Sequence, residues 1–154
     1  MIQRIQTLYL FIAGLLVAML FFLPLAEMVD KQGILYQLNV AGVTRDGAGD
    51  GGEVISALPL ISLVCLVVVI TMLTIFQFKN RVRQIRLSYL ALFLMMALTA
   101  VISLYIWQYK NTLGGEYSLK VFASFPLVSA VLVYLAIRGI VKDENLVKSI
   151  DRIR

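Results

Sequence analysis

Long apolar runs separated by short polar segments organise this chain. Uncharged residues extend from Ile5 to Ala26, between Arg4 and Glu27. A second run, Val54 to Phe78, is interrupted by Pro59 and closed by Lys79. The third extends from Leu87 to Tyr109, between Arg86 and Lys110, and the fourth from Val121 to Ile137, between Lys120 and Arg138. Charge-free apolar stretches of about 18 residues or more read as membrane spans. At a rise of about 1.5 Å per residue, the first three are long enough for a hydrocarbon layer of roughly 30 Å. The fourth suffices once Lys120 and Arg138 extend their stems to the two interfaces.

The expected fold is therefore an all-α membrane protein with four transmembrane helices, spanning 5–26, 54–78, 87–109 and 120–138. A basic start and an apolar middle also describe a signal peptide. A signal's apolar region, however, is about 7–15 residues long and precedes a small-x-small cleavage site. This run is longer and ends Leu-Pro-Leu-Ala, so an uncleaved first helix is expected.

Between the first two spans lies the segment 27–53, the longest outside the apolar runs. Tyr36, Leu38 and Val40 alternate there with Gln37 and Asn39, the period of a short half-buried strand. A lone strand is not stable by itself, so this β segment needs a partner in the loop, at the helix ends or on another protein. Asp46 to Glu53, rich in glycine, reads as a solvated linker. In the tail, 139–154, Leu146, Val147, Ile150 and Ile153 share one helical face, and Glu144 and Lys148 are spaced for a surface pair. An amphipathic C-terminal tail helix on the inner leaflet, or against the basic turn 79–86, is expected.

Composition strengthens the membrane reading. Hydrophobic residues make up 60% of the chain and charged residues 15%, against about 25% charged in soluble domains. The net charge of +5 would suggest a nucleic-acid partner if it formed an exposed basic surface. Instead the cations flank the apolar runs. Arg4, Lys79, Arg81, Arg83, Arg86, Arg138, Lys142, Lys148, Arg152 and Arg154 fall on one side; Lys31, Arg45, Lys110 and Lys120 fall on the other. This positive-inside bias puts both termini on the cytoplasmic side of the membrane. Six of the nine acids lie on the opposite side. Tyr105, Trp107 and Tyr109 at one end of the third run, with Tyr9 and Tyr89 near the other interface, fit the headgroup level.

Candidate chemistry is sparse. The chain has no histidine and a single cysteine, Cys65, inside an apolar run, which removes the commonest ligands and bases of zinc, haem and Ser-His or Cys-His sites. Asp46, Asp50 and Glu53 do not follow a calcium-loop spacing, because its third position would be Ala48 and its twelfth Ala57. No span carries Asp, Glu, Lys, Arg or His in its middle, where ion and proton pathways place ionisable residues at a cost of about 2.5–3.5 kcal/mol each. Ser62, Thr71, Thr74, Thr99, Ser103 and Ser129, with Gly14, Ala18, Ala97 and Ala130, instead mark close helix packing. Pro59 and Pro126 suit the first turns of their helices, and Pro24 suits a helix end. No internal repeat of the kind transporters carry is present.

The segments MIQRIQTLYL, FKNRVRQIRL and AIRGIVKDENLVKSIDRIR, with FFLPLAE after the first span, together resemble a family of short four-helix membrane proteins of Bacteroidota, known as domain of unknown function 4293. The resemblance runs end to end and implies an inner-membrane location. It implies no activity, cofactor or catalytic residue. Four spans with a strand in the first outer loop also resemble the claudin layout, but that loop lacks the tryptophan and paired cysteines of the claudin signature, and layout does not give function.

The sequence thus points to a non-enzymatic inner-membrane protein without a cofactor, an accessory or scaffolding subunit of a membrane complex. The alternative is a binder or carrier of a lipid or other apolar molecule between the helices, near their proline-bearing ends. Expected partners are membrane lipids and another membrane protein, not nucleic acid. The candidate contact for a partner or for anionic lipid is the basic turn with the start of the tail: Lys79, Arg81, Arg83, Arg86, Asp143 and Glu144.

Overall fold

The first apolar run becomes helical at its start and stops being helical well before its apolar composition ends. In a computed structural model, which describes residues 2–29, 34–45, 53–78, 80–113 and 116–151, helix α1 is Ile2–Met19. Its end tightens: Leu20, Phe21 and Phe22 donate three residues back, to the carbonyls of Val17, Ala18 and Met19, at 3.2, 3.2 and 3.0 Å. Proline disfavours helical backbone in the residue before it, and beyond Pro24 the chain leaves as strand β1, Ala26–Val29. The helix is therefore shorter than the 5–26 run from which it was expected.

Three further strands follow in the same segment: β2 Leu35–Leu38, β3 Gly42–Arg45 and β4 Glu53–Ser56. A fifth, β5 Glu116–Leu119, comes from the connection between the third and fourth helices. They form one antiparallel sheet in the order β4-β3-β2-β1-β5. The single short β segment expected around Tyr36–Val40 is thus one strand of five, and its partners lie both in its own loop and in a distant one. Val40 is not part of the strand. It turns the chain with Ala41 while Asn39 and Gly42 exchange backbone hydrogen bonds of 2.8 and 3.2 Å.

The register sorts the sheet into two faces. Ala26 stands opposite Leu38, and Leu38 opposite Val43; all three are buried, as is Met28. Glu27, Gln37 and Thr44 align on the other face and are only partly buried. The apolar face thus covers the helix ends, and the polar face points away from them. Residues 46–52, read as a linker, lie outside the described residues.

Helix α2 is Leu58–Phe76, with Pro59 in its first turn, where the missing N–H has no intrahelical partner to lose. Helix α3 is Arg81–Leu113. The segment 79–86, expected as a turn, is therefore largely the start of a helix. A 3-10 turn, Val121–Ser124, leads into α4, Phe125–Asp151, with Pro126 in its first turn. The tail helix expected as a separate element is the unbroken continuation of α4. The side chains of Val147 to Asp151, and all of Arg152 to Arg154, lie outside the described residues.

Each helix packs on its neighbours in the chain, and α4 closes the bundle against α1. Small and hydroxyl residues permit this closeness. A β-carbon at Gly14 would lie 3.3 Å from Thr71 Cγ2, at the α1–α2 contact. The buried Ser129 hydroxyl of α4 donates to the Ala13 carbonyl of α1 at 3.1 Å. Thr71, Thr74, Ser88 and Thr99 donate to carbonyls one turn back in their own helices. Ser62 and Ser103 do likewise on exposed faces, so they are not packing residues. Among the described residues, no buried side-chain polar atom lacks a partner.

The bundle's exterior is apolar. Leu8, Phe11, Leu73, Phe76, Phe93, Met96, Leu104 and Val131 are all exposed. Leu58–Phe76, Arg81–Asn111 and Val121–Leu146 are long and apolar enough to cross a membrane, yet only 33%, 28% and 33% of their most apolar windows are buried within the protein. Ile5–Met19 is a shorter apolar helix.

Candidate functional site

At the end of the bundle opposite the sheet, three helices meet around Asp143. The Gln6 amide of α1 donates to its carboxylate, Nε2 to Oδ2, at 2.8 Å. Arg81 of α3 donates to its backbone carbonyl through Nη1 at 3.3 Å. Asp143 itself sits one turn beyond Gly139 on α4, and Gly139 leaves the space that Gln6 fills: a β-carbon there would be 2.9 Å from the Gln6 Cγ. Gln6 and Gln84 are each only 6% exposed. Both, with Thr7, Phe78, Arg81, Ile140 and Asp143, surround a cavity of about 20 Å³. A polar space of that size has room for a single water. The arrangement is a polar knot that ties α1, α3 and α4 together at one level.

Arg81 also faces outward from the knot. With Asn80, Val82, Arg83, Arg86 and Glu144, it lines an open concavity of about 480 Å³. Arg83 and Arg86 are exposed there, while Arg81 and Glu144 are half-buried. Three guanidinium groups against one carboxylate leave the concavity net positive. Guanidinium forks suit two-pronged hydrogen bonding to carboxylate or phosphate oxygens. The arginines do not serve the helix that carries them, because cations near a helix N-terminus oppose its dipole.

Of the residues singled out by sequence, Arg81, Arg83, Arg86 and Glu144 are brought to one surface. Asp143 is next to Glu144 in the chain but turns into the knot with Gln6. Lys79 lies outside the described residues. Sequence reasoning missed Gln6, Gln84 and Gly139. Gln6 and Gln84 are amides that would be exposed on a helix end unless a neighbouring helix covered them, and only their placement beside long apolar runs hints at that.

The sheet end uses its charges locally. Lys120 Nζ pairs with Glu27 Oε2 at 2.8 Å, joining the start of the last helical segment to β1. Lys110 Nζ lies 4.5 Å from the centre of the Tyr117 ring, a cation–π contact. Tyr105 and Tyr109 stack one turn apart, with ring centres 6.1 Å from each other. Asp46 and Asp50, weighed as calcium ligands, lie outside the described residues.

Residues 2–153 match the family described as "Domain of unknown function (DUF4293)", and the chain belongs to that family. No curated protein matches it.

Proposed function

We propose that this member of the DUF4293 family is an integral protein of a bacterial cytoplasmic membrane that catalyses no reaction. It serves as an accessory or scaffolding subunit and docks a membrane-protein partner through the concavity of Arg81, Arg83, Arg86 and Glu144. That concavity carries the reading. Its cations come from α3 and its acid from α4, so it exists only when the helices are assembled and can hold a partner in one orientation. Its net positive charge suits a partner segment that carries acids.

The membrane placement is supported by the apolar exterior. A soluble protein rarely exposes contiguous apolar area beyond a few hundred Å², whereas here exposed leucine, phenylalanine, valine and methionine side chains occur on all four helices. The knot at Asp143 and the arginine concavity occupy the end at which most cations gather. Under the positive-inside rule that end faces the cytoplasm. The middles of the four apolar runs carry no Asp, Glu, Lys, Arg or His, which favours a structural role over ion or proton transport.

The test is purification from the native membrane in mild detergent, without crosslinking. The expected result is one membrane protein recovered in near-equal amount with the wild type and lost from an Arg81→Gln/Arg83→Gln/Arg86→Gln variant that still inserts. Equal recovery from the triple variant would remove the docking role from these residues.

A further inference from the structure

A second concavity at the same end shares no residue with either the knot or the arginine concavity. It runs between α3 and α4, and its volume is about 630 Å³. Its chemistry is layered along α4. Tyr134, Arg138 and Lys142 recur at every fourth residue, which places them on one stripe of the helix. Ile137 and Val141, one position before the two cations, form the apolar floor, and Tyr89 of α3 stands on the opposite wall. Ile137 is buried against the bundle, whereas Tyr89 and Tyr134 are half-exposed.

The two cations are exposed, and neither forms an ion pair with another described residue. Arg138 is also the cation at which the fourth apolar run ends. In the membrane reading above, on which this inference rests, the groove therefore crosses from the acyl region at Tyr134 to the headgroup level at Arg138 and Lys142. Tyrosine rings prefer that boundary, and unpaired cations beside a span attract anionic headgroups.

We infer that this groove holds an anionic phospholipid. Its phosphate sits between Arg138 and Lys142, and its acyl chain lies over Ile137 and Tyr134. The cations discriminate against zwitterionic lipid, because a zwitterion's own amine competes with them for the phosphate. The apolar floor discriminates against a free anion, which has nothing to place there. A protein helix in the same groove would bury two cations with no compensating charge unless it carried acids at matching positions.

The experiment is native mass spectrometry of the full chain in mild detergent, offered phosphatidylglycerol and phosphatidylethanolamine with matched acyl chains at equal concentration. The wild type is expected to retain phosphatidylglycerol over phosphatidylethanolamine by up to about thirtyfold, the factor that two favourable surface charges supply. Arg138→Gln/Lys142→Gln should abolish that preference, and Arg138→Lys should keep it. Arg83→Gln/Arg86→Gln, which alters the neighbouring basic concavity, should leave it unchanged. A preference that survives in Arg138→Gln/Lys142→Gln would overturn the assignment. So would an equal loss in Arg83→Gln/Arg86→Gln, which would mean diffuse charge attraction, or displacement of the lipid by excess inorganic phosphate. Extraction of the protein from membranes by alkaline carbonate would instead sink the membrane reading itself. Absent selectivity in a protein that resists extraction removes only the lipid site.

Discussion

Gly139 of α4 faces Gln6 of α1 so closely that a β-carbon at Gly139 would stand 2.9 Å from the Gln6 Cγ and 3.0 Å from its Nε2. The same Nε2 donates to Asp143 Oδ2, so the missing side chain at 139 and the hydrogen bond at 143 belong to one device. It holds the first helix to the last at the end of the bundle where the arginines gather.

The device predicts a reversal of sign. Alanine at 139 gains about 1 kcal/mol of helix propensity over glycine. It must also displace Gln6, at a packing cost of about 1–3 kcal/mol, and disturb a hydrogen bond to a charged group, worth about 1.5–3 kcal/mol. Gly139→Ala should therefore destabilise the protein by about 1.5–5 kcal/mol, the two costs less the gain in propensity. In a Gln6→Ala background the obstacle is gone, and Gly139→Ala should become neutral or stabilising. Thermal unfolding of the four forms in detergent measures the difference. Equal destabilisation in both backgrounds would mean that the two positions do not communicate.

The sheet gives a second test. Leu38 is buried, at 1% exposure, and stands between Ala26 and Val43 in the register. Aspartate there would place a carboxylate on the apolar face with no cationic partner among its register neighbours, at a cost of several kcal/mol. Leu38→Asp should abolish amide-exchange protection in β1, β2 and β3. Amides in the middles of α2 and α3 should stay protected, because their hydrogen bonds are satisfied within each helix. Intact protection at Leu38 and its neighbours in the variant would contradict the register.

Orientation is testable by labelling. In a Cys65→Ser background, a cysteine at the exposed Ser118 on β5 should react in intact cells with a membrane-impermeant maleimide. One at the exposed Arg83 should react only after permeabilisation. The opposite pattern would invert the topology and move the arginine concavity out of the cytoplasm.

The long apolar runs were legible as helices because an eighteen-residue stretch of apolar side chains (the length that about 27 Å of helix requires) is a local property of the sequence. Pro59 and Pro126 in first turns, and Pro24 beyond the end of α1, were legible for the same reason. Of the sheet, only β2 was legible, from the alternation around Tyr36 and Leu38. The other strands have four residues each, which leaves two side chains per face and too little alternation to distinguish a strand from a loop. The arginines of α3 were recognisable as a charged group, but what faces them was not.

Composition along the chain alone determined where helices α2, α3 and α4 would form and on which side of the apolar runs the cations would collect. Both follow from the transfer preferences of individual residues, and those do not depend on distant partners. Only the tertiary structure decided that Val29 of β1 would pair with Glu116 of β5. It alone decided that Gln6 would be buried beside a glycine on α4, and that Asp143 would turn inward while Glu144 joined the arginines. Each of these depends on two segments far apart in sequence arriving at the same place, where a polar group finds its partner or a missing β-carbon makes room for one.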